Sequence, residues 1–66
     1  MLFRAEFYCD TEAFSKEPPN DLLGETARIL KEITNLVEQQ QLDILSGAKH
    51  TIRDSDDNVI GYVCFW

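Results

Sequence analysis

The C-terminal stretch from Lys49 to Trp66 reads KHTIRDSDDNVIGYVCFW, and its pattern decides the fold. Two strand-like runs, Lys49 to Asp54 and Val59 to Trp66, flank a polar turn region, Ser55 to Asn58, which is the signature of a hairpin. With Asp56 and Asp57 as the central turn residues, Ile52 falls opposite Gly61, Thr51 opposite Tyr62 and His50 opposite Val63. That register predicts His50, Ile52, Val59, Gly61, Val63 and Phe65 on one face. Lys49, Thr51, Arg53, Ile60, Tyr62, Cys64 and Trp66 then share the other. The last run is apolar on both faces, as the middle strand of a sheet must be.

Upstream, Leu2 to Cys9 alternates: Phe3, Ala5, Phe7 and Cys9 on one face, Leu2, Arg4, Glu6 and Tyr8 on the other. A polar loop over residues 10–20 follows, with Phe14 expected to fold back as an anchor. Pro18-Pro19 ends regular structure, and Asn20 or Asp21 can cap a helix. Residues 21–41 then change to helical period, with Leu22, Ile29, Ile33 and Leu36 flanked by Leu23, Thr26, Ala27, Leu30 and Val37 over about half the circumference. Arg28 and Glu32 are spaced for an i,i+4 ion pair. Leu42, Ile44 and Leu45 are expected to seal the edge of the core, with Gly47 turning the chain back.

Strand 2–9, helix 21–41, strand 49–54 and strand 59–66 assemble as one domain over residues 1–66. The fold class is α+β, in the order β-α-β-β. A right-handed crossover makes the first two strands parallel with the last between them, giving sheet order 1-3-2 and one helix on one face. In that arrangement Gly61 would let the helix approach closely. Cys9 would be buried, and Cys9 and Cys64 would lie too far apart, on opposite faces, for a disulfide.

The composition sets limits. The chain has 66 residues, six Lys or Arg against twelve Asp or Glu, a net charge of −6 and 44% hydrophobic residues. At about 1.5 kcal/mol of ordering entropy per residue, folding must offset roughly 100 kcal/mol, so large apolar side chains cannot be left idle. The acid excess disfavours nucleic acid and anionic membrane as partners. No apolar run reaches a membrane span, and MLFRAEFYCD does not read as a secretory leader, so a cytoplasmic protein with reduced thiols is expected.

Groups for chemistry are sparse. His50 is the single histidine and points toward the helix, away from Cys64, so neither a nucleophilic pair nor a zinc site is expected. Asp54, Asp56 and Asn58 open like a calcium loop. However, Val59 stands at the required glycine and Phe65 at the closing glutamate, so a solvated turn explains them. No catalytic residue, metal or cofactor is expected.

The face without a helix carries the candidate interface: Arg4, Tyr8, Lys49, Arg53, Ile60, Tyr62 and Trp66. Aromatic residues with cations are the composition of binding surfaces. The alternatives are a solvated aromatic sheet, a homodimer through stacked sheets and, lower, a platform for single-stranded nucleic acid. A second candidate is an acidic surface made by Glu25, Glu32, Glu38, Asp43, Asp54, Asp56 and Asp57.

Three stretches also carry a likeness: Ala13-Phe14, Ala27-Arg28-Ile29-Leu30-Lys31-Glu32-Ile33, and Arg53-Asp54-Ser55-Asp56-Asp57-Asn58-Val59-Ile60-Gly61. Together they resemble a group of small proteins encoded in phages, prophages and plasmids, with an "AF" segment, an A-R-I-L-[RK]-E-[IL] helix and an R-D-x-N-G-N-x-V-G hairpin. Here Asp56-Asp57 replaces Asn-Gly, and Ile60 stands where Val is usual. The resemblance implies a mobile-element origin and carries over no established activity. Small acidic proteins of that origin are often stoichiometric inhibitors of host enzymes or defence complexes, so the expected function is a non-catalytic protein-binding module.

Overall fold

A computed structural model describes residues 1–15 and 22–66. Its elements are strand β1 (Phe3–Phe7), a single 3-10 turn (Glu12–Phe14), helix α1 (Leu22–Glu38), strand β2 (His50–Arg53) and strand β3 (Val59–Phe65). The sheet has the order β1-β3-β2, with both outer strands antiparallel to β3. This is the expected α+β arrangement. The stop at Pro18-Pro19 and the caps at Asn20 and Asp21 lie outside the described residues.

The hairpin keeps His50 opposite Val63, Thr51 opposite Tyr62 and Ile52 opposite Gly61, but Arg53 pairs with Val59. The loop is therefore one residue longer than a two-residue turn centred on Asp56-Asp57, and the bulge that follows restores the expected register. Asp57 N–H donates to the Asp54 carbonyl, Asp54 N–H donates to the Asn58 carbonyl, and Asp57 takes φ 67°. This is a three-residue loop whose last residue is left-handed, and the residue skipped in the ladder is a β-bulge at Ile60. The bulge reverses two expected placements: Ile60 is buried in the core, and Val59 is exposed.

The core is formed by Ala13, Phe14, Ile29, Ile33, Ile52, Ile60 and Val63, with Phe7 and Leu42 packed against it. Phe14 is only 2% exposed, so the anchor under the first loop is in place. The helix buries a narrower stripe than its sequence offers, because three strands present little width. Ile29 and Ile33 are covered, whereas Leu23, Leu30 and Val37 are exposed. Ile44 and Leu45 are exposed too and do not seal the core edge; only Leu42 turns inward.

The helix stops at Glu38, before the expected residue 41. Gln40 adopts φ 55°, Gln40 N–H donates to the Val37 carbonyl and Gln41 N–H to the Leu36 carbonyl. These paired bonds form a Schellman motif, which ends a helix wherever a left-handed residue is accommodated. Gly47, at φ 83°, turns the chain toward β2, and its N–H donates to the Phe65 carbonyl. Gly61 serves β1 rather than the helix. A methyl group there would collide with the Glu6 carbonyl oxygen and come within 2.6 Å of Phe7 Cα.

Candidate functional site

Alternation along the strands places Leu2, Arg4, Glu6 and Tyr8 of the first strand region on the face opposite the helix. They lie beside Lys49, Thr51 and Arg53 of the second and Val59, Tyr62, Cys64 and Trp66 of the third. Tyr8 is 73% exposed and Trp66 is 50% exposed. Trp66 is held in place by exchanging both backbone hydrogen bonds with Leu2, and its ring lies beside Gly47. Lys49 Nζ sits 4.5 Å from the centroid of the Tyr62 ring, a cation–π contact that fixes one cation over the half-buried aromatic. Arg4 Nε lies 3.5 Å from Glu6 Oε2, and Arg53 donates to the Asp57 carbonyl at 3.0 Å.

Six of the seven candidate interface residues therefore share one open face. The seventh, Ile60, is buried in the core cluster beside the bulge, and the neighbouring Val59 is the exposed residue there. Cys64, set between Tyr62 and Trp66 and opposite Arg4, is buried. Cys9 is exposed and not buried, since β1 ends at Phe7 and the chain leaves the sheet before reaching it. Both cysteines are free thiols. A groove of about 320 Å³ is lined by Glu6, Phe7, Tyr8, Ile60, Gly61 and Tyr62.

The acidic candidates divide into two kinds. Glu32, Glu38, Asp43, Asp56 and Asp57 are exposed, and Asp43 caps its own turn by accepting from Leu45 N–H at 2.9 Å. Glu25 and Asp54 are buried and belong to the framework, not to an acidic surface. Glu25 accepts from Arg28 at 3.0 and 3.2 Å, from Ser55 N–H at 2.7 Å and from the Ser55 hydroxyl at 2.6 Å. The Arg28 hydrogen bonds, followed by those of Ser55, pull its pKa down to about 2 against the opposing effect of burial. Arg28 also pairs with Glu32 at 3.0 Å and donates to the Arg53 carbonyl, tying the helix to β2.

Asp54 plays the same part at the other side of the turn. Its carboxylate accepts from the Thr11 hydroxyl at 2.6 Å, from Asp56 N–H and Asn58 N–H at 2.9 Å, and from Asn58 Nδ2 at 3.1 Å. The Thr11 bond is the largest cause of a pKa lowered to about 2, with the Asn58 donors adding to it. Its acceptor positions are thus occupied by donors of the fold itself. Among the described residues, no group of three or more His, Cys, Asp or Glu is placed to hold a metal ion. His50 is exposed, beside a small cleft lined by Ile29, Glu32, Ile33 and Leu36.

Sequence reasoning missed Val59, because a bulge is not visible in an alternating pattern, and the two structural carboxylates. The run Asp54-x-Asp56-x-Asn58 carried one signal, since an Asx residue at a turn start commonly accepts from backbone N–H groups two and more residues on. Glu25 carried none, because its partner Ser55 is far away in sequence. Among the described residues, no helix is long and apolar enough to cross a membrane. Compared with protein-family models, with curated proteins and with solved structures, the chain matches none.

Proposed function

We propose that this chain is a non-catalytic protein-binding module that engages a protein partner through the open face of its sheet. The observation that supports this reading is the pairing of exposed Trp66 and Tyr8 with the positioned Lys49–Tyr62 couple on a face that, among the described residues, no helix covers. A small chain with little core leaves large aromatic rings half in water at a cost, and a partner that covers them recovers it. The acidic surface is a weaker candidate, since Glu25 and Asp54 are committed to internal hydrogen bonds. The resemblance to mobile-element proteins suggests a host or defence protein as the partner, with the chain as its stoichiometric inhibitor.

Affinity capture from a host lysate, with wild-type and Trp66→Ala chains side by side, tests the reading. The expected result is a band that binds wild type at both low and high salt and is lost with Trp66→Ala. Binding that survives Trp66→Ala but vanishes at high salt would move the interface to the exposed acids.

A further inference from the structure

The free edge of β1 carries an inference separate from the open face. Leu2 and Trp66 exchange both backbone hydrogen bonds, and Tyr8 N–H donates to the Ile60 carbonyl at 3.0 Å. The alternation of an antiparallel ladder then aims the backbone groups of Leu2, Arg4, Glu6 and Tyr8 at β3, and those of Phe3, Ala5 and Phe7 away from it. Among the described residues no strand lies beyond β1. On that side the Cys9 thiol reaches the Phe7 carbonyl only at 4.0 Å.

Strand edges are normally blunted by proline, by a bulge or by like charges that repel a copy. β1 has none of these. Its sequence, Phe3-Arg4-Ala5-Glu6-Phe7, is complementary to itself when reversed about Ala5. Antiparallel pairing of two copies sets Ala5 against Ala5, Phe3 against Phe7, and Arg4 against Glu6. The outward backbone groups of Phe3, Ala5 and Phe7 are those that such a pairing needs. Arg4 and Glu6 then fall at the non-hydrogen-bonded positions, where facing side chains come closest. They already lie 3.5 Å apart within one chain, so the second copy completes a square of alternating charge. The other edge is unlike this: Lys49, His50 and Arg53 on or beside β2 would face like charges.

We propose that β1 is a self-association edge, and that the chain forms a two-fold dimer with a continuous six-stranded antiparallel sheet. A two-fold axis normal to the sheet keeps both helices on the same side. Arg28 and Glu25 turn toward β2 through the Arg53 carbonyl and Ser55, so the opposite helix flank, with exposed Leu30 and Val37, inclines toward β1. In the dimer these flanks face one another across Phe3 and Phe7 of both copies. The net charge of −6 on each copy opposes association, so the dimer is expected to fill only at high protein concentration.

Sedimentation equilibrium at physiological salt, followed into the high-micromolar range, reads this directly. The wild-type mass should rise from 7.6 kDa toward twice that value. Ala5→Pro, which removes an outward N–H and none used by β3, should remain monomeric. Arg4→Glu and Glu6→Arg should each weaken self-association about tenfold or more, and the Arg4→Glu/Glu6→Arg double variant should restore it. Circular dichroism checks that each variant is folded; where Ala5→Pro is not, the charge-swap series decides alone. A wild-type mass that stays at 7.6 kDa overturns the proposal, and so does a dimer indifferent to the charge swap. The dimer uses Arg4 and Glu6 at the β1 edge but not Tyr62, so Tyr62→Ala should leave the dimer intact, and the two assignments fail separately.

Discussion

Glu25, in the first turn of the helix, accepts hydrogen bonds from both the backbone N–H and the hydroxyl of Ser55 at the tip of the hairpin. The two residues are thirty apart in sequence, so one carboxylate fastens the helix start to the far end of the sheet. Removing it leaves a Ser55 N–H and hydroxyl to find water and takes two hydrogen bonds from Arg28, which keeps Glu32 and the Arg53 carbonyl. Glu25→Ala should therefore destabilise the fold by about 1–3 kcal/mol, read as a lower urea midpoint. Ser55→Ala combined with Glu25→Ala should cost less than the sum of the two, because both cut the same link.

Acid should undo the same link. The Glu25 and Asp54 carboxyls are held at about 2, below their ordinary values of 4.5 and 3.8. A lowered folded-state pKa contributes stability that is full above the unfolded value and is lost as pH falls toward the folded one. Urea midpoints measured against pH should thus be flat near neutrality and fall between about pH 5 and pH 2. Glu25→Gln should flatten that fall; an unchanged slope would mean that Glu25 is not the titrating brace.

Among the described residues, the non-glycine residues Gln40 and Asp57 hold left-handed backbone. An L side chain there costs on the order of 1 kcal/mol, and glycine relieves it. Gln40→Gly and Asp57→Gly should each raise stability by about that amount in thermal melts. The exposed Arg53–Asp57 ion pair lost with the second change contributes little.

Gly61→Ala is the converse. Its methyl group would meet the backbone of Glu6 and Phe7, which cannot yield as a flexible side chain can. The expected outcome is a loss of about 1–3 kcal/mol and faster hydrogen exchange at the Arg4, Glu6 and Tyr8 amides that face β3.

The hairpin made most of this architecture legible. The apolar character of Tyr62 to Trp66 on both faces sets β3 in the middle, and Ile52 pairs with Gly61 as a two-residue turn would have it because the bulge offsets the longer loop. The rest depended on geometry that alternation does not encode. One extra residue in β3 moves Ile60 inward and Val59 outward. Burial of Glu25 and Asp54 depends on donors from Ser55 and Thr11, which only the folded chain brings near. For the candidate interface, strand parity sufficed for Arg4, Tyr8, Lys49, Arg53, Tyr62 and Trp66. It could not show that Lys49 lies over Tyr62, because a rotamer choice decides that.

The most direct test of the functional account compares a captured partner's affinity for two variants by calorimetry: Tyr62→Ala/Trp66→Ala on the open face, and Glu32→Lys/Glu38→Lys on the exposed helix surface. The account predicts a loss of roughly tenfold or more for the aromatic pair, as for anchors at the centre of an interface, and little change for the helix pair. The opposite result, with affinity lost on Glu32→Lys/Glu38→Lys and retained without the aromatic rings, would contradict it.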